Sequence, residues 1–363
     1  MVSGAGEDNA STHPFPLIKG PTRGPLFGSD RGPEDYLLTC FFGCKMGEET
    51  VTNVQRLSGE RMQSRLAAHI GLLLVSTPAA VFGQAAVTQR VATSDPIYLI
   101  IRTDDVGMSH SVNMGVQRLI ENGLPVSVSV MFACPWYQEA VDILKRHADV
   151  SVGIHLTLNS EWRFYRWGPV AGREAVPTLV DADGYFFQSS EALYKNHADP
   201  KEVEKELRAQ IERARRSGLK IDYVDFHMGT ATRYPEFRDV TERLAREYGL
   251  GMSEYFGEAM DAPQYAAAPR SKADSLVAMI DRLRPGVNAV VTHVGVDDAE
   301  LGALVDMNTD EPLPEMSKNR QGELDALTSQ RFTGALKARN VVLITYRDVI
   351  TKHGLKAMRR PAG

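Results

Sequence analysis

Short apolar runs alternate with helix-like segments over most of the chain, and this alternation limits the possible folds more than any other sequence feature. Continuous apolar runs between helices are typical of parallel strands that are buried on both faces. The clearest helix covers residues 200–217, where Asp199 can cap the start and Gly218 can end it. The predicted strands are 97–103, 126–132, 151–156, 221–226, 287–293 and 341–345. The predicted helices are 112–122, 136–147, 200–217, 236–248, 271–283 and 323–338.

Repeated strand–helix units of this kind build either a barrel or a doubly wound sheet, both of which are α/β folds. Two segments, 157–199 and 294–322, are too long to be simple connections between neighbouring elements. We therefore expect these two segments to carry function or to cover a site.

The first 85 residues follow a different pattern. Residues 1–61 are rich in Gly, Pro, Ser and charge without a sustained period, which is typical of a disordered or non-native extension. The segment 62–85 starts at Met62, carries Arg65, continues with an apolar core and ends in small residues, the layout of a secretory signal peptide. A buried helix or a membrane anchor is the alternative. We expect translation to start at Met62 and the protein to be periplasmic or secreted; without a signal it would be cytoplasmic.

Charge and cysteine content exclude several classes of partner and fold. The formal net charge of -5 argues against a nucleic-acid partner and against binding to an anionic membrane after signal cleavage. Three cysteines are too few for a disulfide framework. Cys134 is flanked by apolar residues, and we predict that it is a core side chain. A homodimer is compatible with the sequence.

Metal-binding and acid–base residues collect at the ends of four predicted strands. The carboxyl ends of parallel strands meet at one rim, where active sites of such folds lie. A single histidine at a strand end is more often a hydrogen-bonded structural residue, but three histidines with a carboxylate pair favour a metal site. These residues are Asp104, Asp105, His155, Asp225, His227 and His293.

A divalent cation would offset the repulsion between the adjacent carboxylates of Asp104 and Asp105. Two histidines and one carboxylate leave coordination positions free for water and substrate. The metal would acidify water and polarise a carbonyl, the second carboxylate could act as general base, and His293 could protonate the leaving group. The residues therefore predict metal-assisted hydrolysis of an amide or ester. No serine or cysteine nucleophile motif, P-loop or dinucleotide fingerprint competes with this prediction.

The sequence resembles the YdjC-like carbohydrate deacetylases, which include chitooligosaccharide deacetylase, in four motifs: TDDVGMSHSVNMGV, VGIHLTL, VDFHMG and VTHVG. The tail LDALTSQRFTGALKARNVVLITYRDV is similar as well, so the resemblance covers about residues 97–350. It implies a single distorted TIM-like (β/α) barrel over residues 94–356, one divalent metal ion and removal of N-acetyl groups from an amino sugar. By position, Asp105, His155 and His227 match the metal ligands, Asp104 the catalytic base, and His293 the second catalytic residue.

Five further residues are candidates for supporting roles in the site. Trp162 and Trp167, in the loop NSEWRFYRWGPVAG, can stack on a sugar ring or pack the loop onto the barrel. His110 is a candidate for the substrate rim. Asp225 can orient a metal ligand or be structural. Arg347 can pair with a site carboxylate or form a surface salt bridge.

The residues leave the cation and the substrate open. Nitrogen-rich ligands suit Zn²⁺, whereas the family is usually assigned Mg²⁺. Met228 and Val294 depart from the family pattern on the substrate-facing rim. The alternative functions are a metal-dependent esterase or amidase on another acylated glycan, a non-catalytic carbohydrate-binding barrel and a phosphoesterase.

Overall fold

A computed structural model of the chain describes residues 95–308 and 316–361. The predictions for residues 1–61 and for the signal-like segment 62–85 lie outside these residues and stay predictions. Among the helices of the described part, none combines the length and the apolar character needed to cross a bilayer.

Eight strands form one curled sheet in which every pairing is parallel. The strand order is β5-β4-β3-β2-β1-β7-β6, and β8 pairs with the first part of β1. No pairing joins β5 to β6 in the described residues, so the predicted α/β barrel is confirmed in an open, distorted form. The strands are β1 (Ile97–Val106), β2 (Ser127–Val130), β3 (Ser151–Leu156), β4 (Ile221–Phe226), β5 (Gly251–Met252), β6 (Ala259–Asp261), β7 (Gly286–Thr292) and β8 (Val342–Ile344).

The six predicted helices are present with one correction, and four helices of four to eight residues were not predicted. The predicted helix 323–338 is two helices, because Ser329 breaks it and caps the second one by accepting the Phe332 N–H at 3.1 Å. The strands β5 and β6 were not predicted, since two and three residues are too short to show a period. The helices are α1 (His110–Glu121), α2 (Tyr137–Lys145), α3 (Ser190–Lys195), α4 (Pro200–Arg216), α5 (Thr230–Arg233), α6 (Pro235–Tyr248), α7 (Lys272–Arg282), α8 (Ala299–Gly302), α9 (Met316–Thr328), α10 (Gln330–Ala338) and α11 (Tyr346–His353).

Alternate residues of β1 line the barrel interior in successive layers. Ile100 belongs to a small interior cluster with Tyr223 and Tyr346. One layer higher, Arg102 reaches Ser253, which follows β5, at 2.5 Å. Since β2, β3 and β4 separate β1 from β5 in the sheet, this contact requires strong curling. The next interior residue is Asp104, so the strand that builds the core also delivers a carboxylate to the rim.

The connection after β7 lies against α1 through two glycines. A Cβ on Gly115 would lie 2.6 Å from the Cα of Gly295, closer than real Cβ contacts come. The close approach lets the Val296 N–H donate to the Ser111 carbonyl at 3.1 Å. The backbone that follows His293 is thereby held against α1.

Cys134 is free and fully buried, which confirms its prediction as a core side chain.

Candidate metal centre and active site

A bulge at the end of β1 explains why two adjacent carboxylates can serve one site. In a regular strand, neighbouring side chains point to opposite faces. The register between β1 and β2 shifts between Thr103 and Val106, and Asp105 has a φ of 62°. Asp tolerates this left-handed conformation better than most residues. The bulge turns Asp105 to the same side as Asp104, so both carboxylates are buried in the barrel.

Three donor atoms meet at the carboxyl ends of β1, β3 and β4. Asp105 Oδ1 lies 3.4 Å from His155 Nε2 and 3.3 Å from His227 Nδ1, and the two nitrogens are 3.3 Å apart. Oδ1 is buried without a hydrogen-bond partner in the described part of the chain. Atoms at these separations, each about 2.1 Å from one ion, subtend angles near the tetrahedral value. The donor set therefore fits a divalent metal ion.

Each of the two imidazoles has a carboxylate on its other nitrogen. His155 Nδ1 lies 2.9 Å from Asp225 Oδ1, and His227 Nε2 lies 3.0 Å from Glu161 Oε2. Such contacts fix the ring orientation and the tautomer of metal-binding histidines. Asp225 thus contacts His155, its neighbour across the β3–β4 ladder. Glu161 was missed in the sequence because its loop has no regular period.

The loop that carries Glu161 is held by α4. Gln210 accepts the Thr157 N–H at 2.9 Å and donates to the Thr157 carbonyl at 2.7 Å. One turn earlier, Glu206 accepts the N–H groups of Val170 and Ala171. The segment 157–199 is therefore an ordered wall of the site. Two successive turns of α4 bind it, one at residue 157 and the other at residues 170 and 171.

Asp104 is held by a bidentate ion pair. Arg102 Nε and Nη2 each donate to one Asp104 oxygen at 2.8 Å, and Nε lies 3.0 Å from Asp225 Oδ2. Burial raises the pKa of Asp104, and the guanidinium opposes that rise. The pair leaves Asp104 oriented beside the donor set. Arg102 was not singled out from the sequence, since a charged residue within a buried strand carries no periodic signal.

The helix α9 reaches both halves of the site. Arg320 Nη2 donates to Asp105 Oδ2 at 2.7 Å. One turn later, Glu323 Oε2 accepts the backbone N–H of His293 at 2.8 Å. Glu323 is paired in turn with the fully buried Lys272, 3.4 Å away. Neither Arg320 nor Glu323 was predicted as a site residue.

The electrostatics separate His293 from the other two site histidines. Burial lowers histidine pKa values, but Asp225 raises the pKa of His155 to about 10 and Glu161 raises that of His227 to about 9. Burial dominates at His293 and lowers its pKa to about 4. Burial also acts on Asp105, yet Arg320 and the two imidazoles hold its pKa well below the usual range. His293 is therefore neutral at neutral pH.

The remaining predicted residues divide between the rim and other places. Trp162 and Trp167 are both buried, so they pack the loop and do not form an exposed rim. His110 is exposed and bonds Glu139 through Nδ1 at 2.8 Å. Arg347 does not reach a site carboxylate: its Nε donates to Asp222 at 2.9 Å. Asp222 lies near the amino end of β4, the opposite end from the metal-binding residues.

Comparisons with known proteins agree with the fold and the family. The model of the YdjC-like protein family matches residues 98–338. A carbohydrate deacetylase of Geobacillus stearothermophilus is 30% identical over 262 residues, which cover 70% of this chain and 98% of the relative. One of Listeria monocytogenes serotype 4a (strain HCC23) is 28% identical over 261 residues, covering 69% and 99%.

Among solved structures, a protein of Enterococcus faecalis V583, described as a candidate cellobiose-phosphate cleavage protein, has the same fold. It superposes with a TM-score of 0.59 at 24% identity, covering 70% of this chain and 99% of that one. The family match extends over more than half of the chain and confirms the resemblance inferred from the motifs. This chain belongs to the YdjC-like protein family.

Proposed function

We propose that the protein is a metal-dependent carbohydrate deacetylase that removes N-acetyl groups from an amino sugar of the chitooligosaccharide type. The observation that carries this proposal is the buried donor triad of Asp105, His155 and His227 with Asp104 and His293 beside it. Hydrolysis of an unreactive amide needs an activated water, a base and a proton donor for the amine, and this site offers a group for each.

Asp105, His155 and His227 would hold the ion. When bound, a divalent ion supplies Lewis acidity, which lowers the pKa of water and polarises an acyl carbonyl. The unpartnered Oδ1 of Asp105 and the two carboxylate-backed imidazoles support this assignment. Two nitrogen ligands and one oxygen suit Zn²⁺ better than Mg²⁺, which prefers oxygen ligands.

Asp104 takes the proton from the attacking water in this mechanism. Its bidentate pair with Arg102 fixes the carboxylate beside His155 and opposes the effect of burial on its protonation. A base that is fixed by a second residue loses little freedom when the substrate binds.

His293 passes a proton to the departing amine. With a pKa near 4, the ring enters the reaction unprotonated, so it must first collect a proton from Asp104 or from solvent. Glu323 fixes the His293 backbone, and Tyr265 lies against the ring with centroids 5.3 Å apart.

Two observations support a carbohydrate substrate. The curated relatives in Geobacillus stearothermophilus and Listeria monocytogenes are carbohydrate deacetylases. Exposed aromatic rings, on which sugar rings can stack, also follow three of the strands: Trp136 after β2, Phe164 after β3 and Tyr265 after β6. The rim predicted from the sequence is thus proposed to consist of these rings with His110.

The test is acetate release from N-acetylglucosamine oligomers. The protein is stripped of metal and supplied with Zn²⁺, Mg²⁺ or Mn²⁺ in turn. We expect release that depends on the ion and is strongest with the preferred one. No release from any N-acetylated sugar with any of the ions would overturn the proposal.

We also propose that the enzyme acts outside the cytoplasm, on the composition of residues 62–85 alone. N-terminal sequencing of the protein recovered from the producing cells checks this, with cleavage near Gln84 as the expected result. A product that retains the whole segment would contradict it.

A further inference from the structure

Arg320 has two unused hydrogen-bond donors beside the donor triad. Its side chain is buried, with 5% of the residue exposed, and Nη2 donates to Asp105 Oδ2 at 2.7 Å. Nε and Nη1 are also buried and have no hydrogen-bond acceptor among the described residues. Buried donors are nearly always paired, and a guanidinium stays charged at all working pH values. These two nitrogens therefore need a hydrogen-bond acceptor, and the described part of the chain does not supply one.

The backbone around Arg320 is held in place from two sides. The Arg320 carbonyl accepts the N–H of Gly295 at 3.3 Å. A Cβ on Gly295 would lie 3.1 Å from the Cβ of Arg320, so glycine permits the close approach of the two segments. Because Glu323 on the same helical face binds the His293 backbone, Arg320 is held next to both Asp105 and His293.

The contact with Asp105 limits where the acceptor can be. Nη2 uses Oδ2 of the same carboxylate whose Oδ1 faces the two imidazoles. The guanidinium therefore lies against a residue of the donor triad, in the buried interior, and not at the outer rim, where a charged substituent of a sugar would bind. At this site, negative charge develops on the oxygen of the acyl group when water adds to its carbonyl carbon.

We propose that Arg320 is a catalytic residue that donates one of its unused N–H groups, Nε–H or Nη1–H, to the acyl oxygen and stabilises the charge that develops there. The proposal rests on the proposed acyl-group hydrolysis for the identity of the substrate. Donors that are buried and already oriented stabilise such charge strongly, because they need no rearrangement when the charge forms. The ion pair with Asp105 supplies that orientation.

The test compares Arg320→Lys, Arg320→Gln and Arg320→Ala with the wild type, all as full-length chains. Arg331→Gln serves as the matched control, because Arg331 pairs with Asp274 on the surface. Three quantities are measured: kcat and KM at saturating metal, metal affinity by calorimetry, and rescue of Arg320→Ala by added methylguanidine. Substrates are N-acetylglucosamine oligomers and 4-nitrophenyl acetate, an acetyl ester that needs no sugar recognition.

We expect kcat at saturating metal to fall about 100- to 1000-fold in Arg320→Gln, the loss typical of a removed oxyanion donor. KM should change by a few-fold at most, the ion should still bind, and methylguanidine should restore part of the kcat of Arg320→Ala. Full kcat at saturating metal in all variants would overturn the proposal, because Arg320 would then only support Asp105. Loss of metal binding with no rescue would overturn it as well.

The two substrates separate this proposal from the proposed function. If the wild type cleaves the ester but no N-acetylated sugar, the proposed function fails while Arg320 is still tested on the ester. If the wild type deacetylates the sugar and the variants keep its kcat, the role of Arg320 alone fails. A wild type that cleaves neither substrate overturns both.

Discussion

Glu161 and His227 meet inside the barrel, with Oε2 of the carboxylate 3.0 Å from Nε2 of the ring. The contact turns the other ring nitrogen, Nδ1, toward Asp105 and His155. A loop residue after β3 thus determines how a residue after β4 presents its metal-binding atom.

Glu161→Gln should therefore weaken metal binding while most of the kcat returns at saturating metal. The loss of a carboxylate behind a metal-binding histidine typically costs about 10- to 100-fold in affinity. Calorimetry with Zn²⁺ measures it, and Glu174→Gln, whose side chain is 87% exposed, is the control. Unchanged affinity in Glu161→Gln would show that the contact does not orient His227.

Asp104→Asn should lower kcat by about 10²- to 10⁴-fold, the range that general base catalysis contributes, while the metal stays bound. The amide keeps the shape of the carboxylate but cannot accept the proton from water. Acetate release and metal content are the measurements, and Asp183→Asn, at an exposed turn, is the control. Normal turnover in Asp104→Asn would mean that another group is the base.

His293→Gln should slow the hydrolysis of amides far more than that of activated esters. An amine must be protonated to leave, whereas 4-nitrophenolate leaves without a proton. We expect kcat for N-acetylated sugars to fall by about 100-fold, the lower end of what a general acid or base contributes. For 4-nitrophenyl acetate, kcat should fall by a few-fold at most. Equal losses on both substrates would contradict the role of His293 as proton donor.

Metal binding at pH 7 should release protons, and the affinity should rise between pH 7 and pH 9. The pKa values of His155 and His227 are raised to about 10 and about 9, so both rings carry protons in the metal-free protein at pH 7. Metal ions bind unprotonated imidazoles and must displace these protons. Calorimetry at pH 7 in buffers with different ionisation enthalpies counts them; a count of zero would contradict the prediction.

Gly115→Ala should destabilise the fold by about 1–3 kcal/mol, as overpacking at a tight contact does. The added methyl group would meet the backbone of Gly295 at 2.6 Å. Gly334→Ala is the matched control, because Gly334 is an exposed residue of α10 with open space around its Cβ position. Denaturant unfolding should leave the control as stable as the wild type or slightly more stable. Equal stability of the two variants would mean that the contact between Gly115 and Gly295 can widen at little cost in free energy.

Much of the fold could be predicted because strands and helices leave local periods in the sequence. The long apolar runs and their following helices appear in the structure with small shifts of their ends, as in the helix predicted at 200–217 and found at Pro200–Arg216. The elements that the sequence did not predict correctly are also explained by local features. The strands β5 and β6 are too short to show a period, and the single residue Ser329 divides a helical pattern into α9 and α10.

By itself, the sequence determined which residues stand at the strand ends: Asp104, Asp105, His155, His227 and His293. That follows from position along a strand, and parallel strands bring their ends to one rim. The family followed from the same residues.

Only the tertiary structure decided which atoms face one another. Two adjacent carboxylates share one interior because of the bulge at Asp105. Glu161 meets His227, and Arg320 meets Asp105, only through the curling of the sheet and the packing of α9. Trp162 was buried by the same packing. These contacts join residues far apart in the chain, and long-range packing leaves no period in the sequence from which they could be predicted.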